Sequence, residues 1–371
     1  MKYLYNFYSQ VDILNIMLLY TLLTLFILFF WKKYSKNFIT SNYDGVQRIH
    51  KDKTEIPRMG GVLLYAGMIF CLFIEFDIEP WLNQEIKPIL NLLLICNLPL
   101  FVIALREDIK YDVSAILRLI AIVLSSFIFI IFQPFGLPAI DIPFIGNYLS
   151  IPVVSIIIFT IAHAGYCNGM NLIDGANGLA GMVIFTTLLS IAIVSFILSD
   201  LAILYIALIL ISFIVIFLLF NYPWGSIFLG DSGAYLWGSV LASMTIMLYA
   251  RNDVPTWGAV VFLFYPSIEM VFSVIRKKVQ RKNPLHPDPD HLHLKLYFVI
   301  ERSVKRARVA NDLVMPMISI IWLTPALIIP WVFSDAVLSI LAIIFLVFIY
   351  FGFYWALPSK NQKKDINDIR K

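Results

Sequence analysis

Apolar runs of membrane-spanning length follow one another through this chain, separated by short polar breaks. About 20 such residues in a row cross a bilayer as one helix. Backbone placed in lipid must satisfy its own N–H and C=O groups, which makes the helix the natural element for runs like these. They fall at 12–31, 60–76, 88–105, 117–133, 151–166, 178–198, 201–220, 233–250, 257–275, 313–333 and 336–357. The pattern predicts an all-α integral membrane protein with about eleven transmembrane helices. Only 14% of the residues are charged and 60% are hydrophobic, whereas a soluble domain carries roughly 25% charged residues. No polar stretch between the runs is long enough to build its own core, so 1–371 reads as a single polytopic domain. The N-terminus lacks a basic segment followed by a small-residue cleavage site, and 12–31 is expected to be a retained helix. Cys71, Cys96 and Cys167 are scattered; without a metal or disulfide spacing they read as small apolar fillers.

Charge sets the expected orientation. Of the 28 Lys and Arg, all but Lys2, Lys87 and Arg251 fall on one side, whose loops are 32–59, 106–118, 167–177, 221–232, 276–312 and the tail 358–371. The positive-inside rule makes these cytoplasmic, with the N-terminus outside and the C-terminus in the cytoplasm. On the outer side Asp77, Glu79, Glu85, Asp141 and Asp200 are scattered in turns and read as solvated. On the cytoplasmic side Glu107–Asp108, Asp174, Asp231 and the run from His286 to His293 bring acids or histidines from four separate loops. Within the spans Glu269 is the clear ionisable exception. A coupled transporter keeps such groups near mid-membrane. Chemistry at a cytoplasmic rim is the better reading, with a lipid-linked-sugar transporter or flippase as the alternative.

Between two apolar runs lies YCNGMNLIDGANGLAG, residues 166–181. Asn168, Asn171, Asp174 and Asn177 recur every three residues, a spacing that stacks side chains along one side of a helical turn. Asp174 has no basic residue in its own loop and requires a partner from elsewhere or a metal, the bland reading being an exposed loop carboxylate. Arg58 stands between Pro57 and Gly60–Gly61 where a helix starts, a place suited to anions; Lys32, Lys33 and Lys36 read equally well as orientation signals. Glu107 and Asp108 end a span, where carboxylates oppose the helix dipole; a divalent cation, or Lys110 and Arg118, would offset them. Asp231 sits in the Gly-Asp-Ser-Gly turn that opens a helix, three residues after Phe228. A hard cation takes one or two carboxylates and fills its shell with phosphate and water, and Phe228 offers a ring for a base. Three of the five histidines lie in HPDPDHLH, from His286 to His293. A zinc site is the rival there, but no cysteine is near and His291 and His293 are only two apart. Lys295 to Arg308 reads as an amphipathic helix on the membrane face, and His163 as a packing or hydrogen-bonding histidine.

Together these segments resemble the polyprenyl-phosphate N-acetylhexosamine-1-phosphate transferases, the WecA/MraY-like family of glycosyltransferase family 4. The matching pieces are RIHKDKTEIPRMGG, the acidic pair in REDIKYDV, NGMNLIDGANGLAG, FLGDSGA and HPDPDHLHL, in that order. The resemblance implies transfer of a sugar-1-phosphate, GlcNAc-1-phosphate first among the options, from a UDP-N-acetylhexosamine to undecaprenyl phosphate, with release of UMP. It implies Mg²⁺ as cofactor, with Mn²⁺ as substitute, and the bacterial inner membrane with the site facing the cytoplasm. Such an enzyme initiates a cell-envelope polysaccharide, O-antigen among them; its partners are the two substrates and membrane lipid, with no nucleic acid and with a homodimer open. Carried onto this sequence, Asp231 becomes the metal ligand and Phe228 the stacking partner of uracil. Asn171 and Asp174 face the metal and diphosphate, and Asn177 the nucleotide. Glu107 and Asp108 lie near the lipid phosphate, screened by Arg58 or Lys110, with Asp108 positioning or deprotonating it. His291 and His293 contact the sugar nucleotide. The chain departs from the family pattern with Glu107 in place of Asp, Asn177 in place of Asp and Leu294 in place of His; together with PRMGG these imply the WecA-type branch.

Overall fold

A computed structural model of the protein describes residues 15, 17–18, 20–30, 56–73, 76, 78–140, 146–282 and 288–358. The described chain is helical nearly throughout. It runs α1 Tyr20–Phe30, α2 Gly60–Phe73, α3 Pro80–Lys110, α4 Ala115–Phe132, α5 Gly146–Leu149, α6 Pro152–Ile173, α7 Leu179–Ile197 and α8 Leu201–Asn221. There follow α9 Gly230–Asn252, α10 Trp257–Phe262, α11 Phe264–Val279, α12 Leu292–Val304, α13 Ala307–Met317, α14 Ser319–Val332 and α15 Ala336–Ala356. Among the described residues, eight helices are long and apolar enough to cross a membrane, with α13 and α14 taken as one. The protein is an all-helical integral membrane protein.

Several expected boundaries shift, for physical reasons. The run 60–76 is a helix of 14 residues. The run 257–275 is broken at Leu263 into α10 and α11; Pro266 cannot donate to the Phe262 carbonyl four residues back, so the ladder is interrupted there. Residues 12–14, 16, 19 and 31 of the first run, the loop segment 32–55 with Arg48 to Lys51, the residue His286 and the tail from 359 lie outside the described residues. Two expected loops shrink. Helix α3 continues through Glu107 and Asp108 to Lys110, and α6 through Asn168 and Asn171 to Ile173. Polar side chains do not end a helix when tertiary contacts hold them, so 106–118 and 167–177 reduce to connections at 111–114 and 174–178.

The bundle is organised around α9, of which 94% of the spanning window is buried. Its small residues explain this placement: a Cβ on Gly238 would stand 2.8 Å from the Cys167 backbone of α6. In lipid, close approach of this kind replaces the hydrophobic drive between helices. The outward helices are greasier; only 22% of the α15 window is buried.

Both ends of α9 are tied. At one end Arg251 donates to Asp200 at 2.7 Å and to Glu85 at 3.0 Å, and Asn252 donates to Asp200 at 3.0 Å. Asp200 is buried and also caps α8 through the Ile203 N–H. Asp200 and Glu85 are therefore not merely solvated, because Arg251 draws them into one cluster joining α3, α8 and α9. At the other end the starts of α2 and α9 interlock. Phe228 N–H donates to the Pro57 carbonyl at 2.9 Å and Gly60 N–H to the Phe228 carbonyl at 3.3 Å. A Cβ on Gly61 would lie 2.5 Å from the Ser232 backbone, and one on Gly233 would lie 2.9 Å from Gly61 N. Gly61→Ala is expected to cost about 1–3 kcal/mol by overpacking. A lowered thermal midpoint in detergent would show this; an unchanged midpoint would mean the two helix starts are not held in contact.

Candidate active site

The interlocked helix starts bring distant charges together. Asp108 is buried near the end of α3, and its carboxylate accepts the N–H groups of Asp231 at 2.8 Å and Ser232 at 2.7 Å. These belong to the first turn of α9, whose N–H groups have no intrahelical acceptor. The dipole of α9 thus favours the very carboxylate that the dipole of α3 opposes. Gly230 has φ +75°, and a Cβ there would press on Asp108 Oδ2 at 2.7 Å, so this turn requires glycine. Arg58 lies 3.1 Å from Asp108 and 2.7 Å from Asp231. Arg118, in the first turns of α4, pairs with the second oxygen of Asp231 and lies 3.7 Å from Glu107. Glu107 also accepts the Val113 N–H at 2.9 Å. Three carboxylates from two helices are therefore interleaved with two guanidinium groups. Lys110 is exposed at the end of α3. Nearby, the Arg106 fork holds Asp112 below the usual carboxylate range.

The asparagine series does not line one face. Asn168 points to the Met270 sulfur, whereas Asn171 donates to the Tyr235 hydroxyl at 2.9 Å. Tyr235 lies one turn beyond Asp231 on α9, so Asn171 is linked to the carboxylate cluster. Asn177 is buried elsewhere: its N–H donates to Asn311 at 2.7 Å and its amide to Asp312 at 2.9 Å, tying the 174–178 turn to α13. Asn168 and Asn171 both stand within α6, where a spacing of three turns the side chain by about 60°; Asn177 lies beyond the end of the helix at Ile173, where the periodicity no longer holds. Asp174 is the half-buried C-cap of α6. Phe228 is half-buried, with its backbone paired to 57–60.

The histidines form a second group. His291 caps α12, and its Nδ1 lies 3.0 Å from Glu269 of α11. His293 is buried with its ring nearly parallel to that of His291, centroids 5.9 Å apart. Gly175 makes room for it, since a Cβ at Gly175 would strike the His293 ring. This contact brings the histidine loop against the turn that carries Asp174. Arg276 and Asp288 pair at 2.6 Å at the base of the loop. Lys295 is not on a solvent-facing charged stripe; it is buried and donates to the Tyr354 carbonyl at 2.7 Å. His163 lies apart, bonded to Ser126 at 2.8 Å and Ser243 at 2.9 Å. Two residues of these groups carry no site role in the sequence reading, Arg118 as a partner of Asp231 and Glu269 as a partner of His291. Glu269, an acid in an apolar run, was the visible signal for the second.

This arrangement of helix ends is accompanied by a clear relationship in sequence. The model of Glycosyl transferase family 4 matches residues 90–249, from within α3 to the last residues of α9. Over those residues the chain is similar to that family. It is 28% identical over 244 residues to the undecaprenyl-phosphate alpha-N-acetylglucosaminyl 1-phosphate transferase of Thermotoga maritima, covering 64% of this chain and 67% of the relative. Similarity extends to the phospho-N-acetylmuramoyl-pentapeptide-transferases. It is 26% identical to that of Staphylococcus carnosus, covering 67% of this chain and 78% of the relative. It is 28% identical to that of Streptococcus thermophilus, covering 68% and 79%.

Burial pushes the His293 imidazole down from 6.5 to about 4, partly offset by Glu269. The unfolded chain therefore takes up a proton, below its ordinary histidine value, that the folded chain refuses until the lower one. Stability is expected to fall as pH drops through that window and to be indifferent to this group above it. His293→Gln is expected to flatten the decline. Thermal midpoints of both proteins against pH check this, and parallel curves would refute it.

Proposed function

We propose that this chain, as a family 4 glycosyl transferase, moves N-acetylhexosamine-1-phosphate, GlcNAc-1-phosphate first among the candidates, from a UDP-sugar to undecaprenyl phosphate, releasing UMP. The observation that carries the reading is the Arg58–Asp231–Arg118 cluster, held with Asp108 and Glu107 at one end of the bundle. That end is also where the basic loops of the sequence emerge, which supports a cytoplasmic site in a bacterial inner membrane with the C-terminus on the same side. The Thermotoga relative, named for GlcNAc-1-phosphate transfer, supports the choice of sugar and the WecA-type branch. Initiation of a cell-envelope polysaccharide follows from the product.

The reaction joins anions. An oxygen of the lipid phosphate forms a bond to the β-phosphorus of the UDP-sugar, and the bond from that phosphorus to the bridging oxygen breaks, leaving UMP. A phosphomonoester is already largely ionised near neutrality, its second pKa being about 6, so charge management outweighs base catalysis. Arg58 and Arg118 carry fixed positive charge and forked donors suited to phosphate oxygens. Asp108 orients Arg58 and the first turn of α9; with its oxygens committed to N–H groups and Arg58, its part is positioning. The carboxylates fit a divalent cation. Both Asp231 oxygens are taken by Arg58 and Arg118, so a cation would replace one of these partners; Mg²⁺ takes one or two carboxylates and fills its shell with phosphate and water. Asp231, with Glu107 beside it, would hold it. When bound, Mg²⁺ supplies screening of the diphosphate charge. A cavity of about 230 Å³ between α6, α9 and α10, toward the Arg251 end of α9, has a mostly apolar lining, Ile158, Phe159, Ile246 and Val260 among it, with His163 and Thr245 as polar members; a prenyl chain running from the site would have to extend along α9 to reach it.

Purified protein in detergent, given undecaprenyl phosphate, Mg²⁺ and a panel of UDP-N-acetylhexosamines, is expected to release UMP with at least one of them. Asp231→Asn is expected to lower kcat by about 10²–10³-fold, the scale of losing a principal electrostatic group, while the protein still inserts. Absence of UMP release from every UDP-sugar would overturn the transferase reading and leave transport, which requires two sealed compartments, as its successor.

A further inference from the structure

Glu269 is fully buried in α11, yet both of its oxygens are occupied by one loop. Oε2 lies 3.0 Å from His291 Nδ1, and Oε1 accepts the Leu292 N–H at 3.1 Å. Leu292 is the first residue of α12 and His291 its cap, so this carboxylate also supplies an acceptor to a helix start that lacks one of its own. A buried carboxylate is costly unless paired and hydrogen-bonded; here a single residue pair meets that need and fixes the loop at the same time. An ionised carboxylate accepts and does not donate. Nδ1 of His291 therefore carries the proton of this hydrogen bond, and Nε2 is the ring nitrogen left for a ligand. The nearly parallel His293 ring, tilted by 12°, covers one face of the pair.

We propose that Glu269 is a positioning residue that holds His291 so that Nε2, and not Nδ1, meets the sugar nucleotide. The proposal rests on the transferase reading above. It predicts a division of labour within the loop: His291 meets the ligand, while Glu269 acts only through His291.

The test uses full-length protein in detergent, the UDP-sugar that gives turnover, and five variants. Glu269→Gln and His291→Ala are each expected to raise KM for the sugar nucleotide about tenfold, the scale on which an orienting partner acts, with KM for undecaprenyl phosphate unchanged. The double variant is expected to be no worse than His291→Ala alone, because the two residues act as a unit. Multiplying effects would show that Glu269 works independently and would overturn the proposal. His291→Gln, whose amide reaches the Nε2 position, is expected to retain more activity than His291→Asn, whose amide matches Nδ1. The reverse order would overturn the choice of nitrogen, and this comparison survives even if Glu269→Gln fails to fold. If the unaltered protein turns over but His291→Ala leaves sugar-nucleotide KM unchanged, the proposal fails while the transferase reading stands. If the unaltered protein releases no UMP at all, it is the transferase reading that has failed.

Discussion

A carboxylate buried at the end of one helix is stable here because the start of another helix is aimed at it. Asp108 accepts two N–H groups from the first turn of α9 and pairs with the Arg58 guanidinium at 3.1 Å. Inside a bundle of low dielectric an unpaired charge costs several kcal/mol, so this geometry constrains everything around it. The first turn of α9 has to approach closely, which forces Gly230 into a left-handed conformation. The start of α2 has to pack against the same turn, which forces small residues at Gly60, Gly61 and Gly233. Arg58 is then delivered between two carboxylates.

The same constraint links the fold to its chemistry. The groups that neutralise Asp231 come from the segment before α2 and from α4, and its backbone is held by α3. No single helix owns the site. Positive and negative groups alternate across it, each already paired with a neighbour. The histidine loop is built on the same plan. A buried carboxylate from a spanning helix holds a helix start and an imidazole, and a glycine, Gly175, lets the neighbouring ring come close.

The membrane class and most of the helices were legible because hydropathy reports lipid exposure directly. It reports internal structure poorly. Helix α9 is the least apolar of the eight long helices and the most buried, since its neighbours are protein and small polar residues pack well there. Asn168 and Asn171 were read as a loop because polarity resembles departure from the membrane, whereas α6 carries both into its last turns. The segments Pro-Arg-Met-Gly-Gly and Gly-Asp-Ser-Gly were visible as separate signals. Their union was not, because Arg58 and Asp231 are 173 residues apart and nothing local encodes that pairing. Asn177 shows the same limit: its partners Asn311 and Asp312 belong to a helix that follows much later.

The cluster of Arg251 with Asp200 and Glu85 has a mechanical meaning. It fastens α9 at the end away from the carboxylates, while Asp108 and Arg58 fasten the near end. A rod bolted at both ends neither slides nor pistons. Any rearrangement of the bundle is therefore left to the helices around α9, and the break at Leu263 between α10 and α11, which borders the apolar cavity, lies among them.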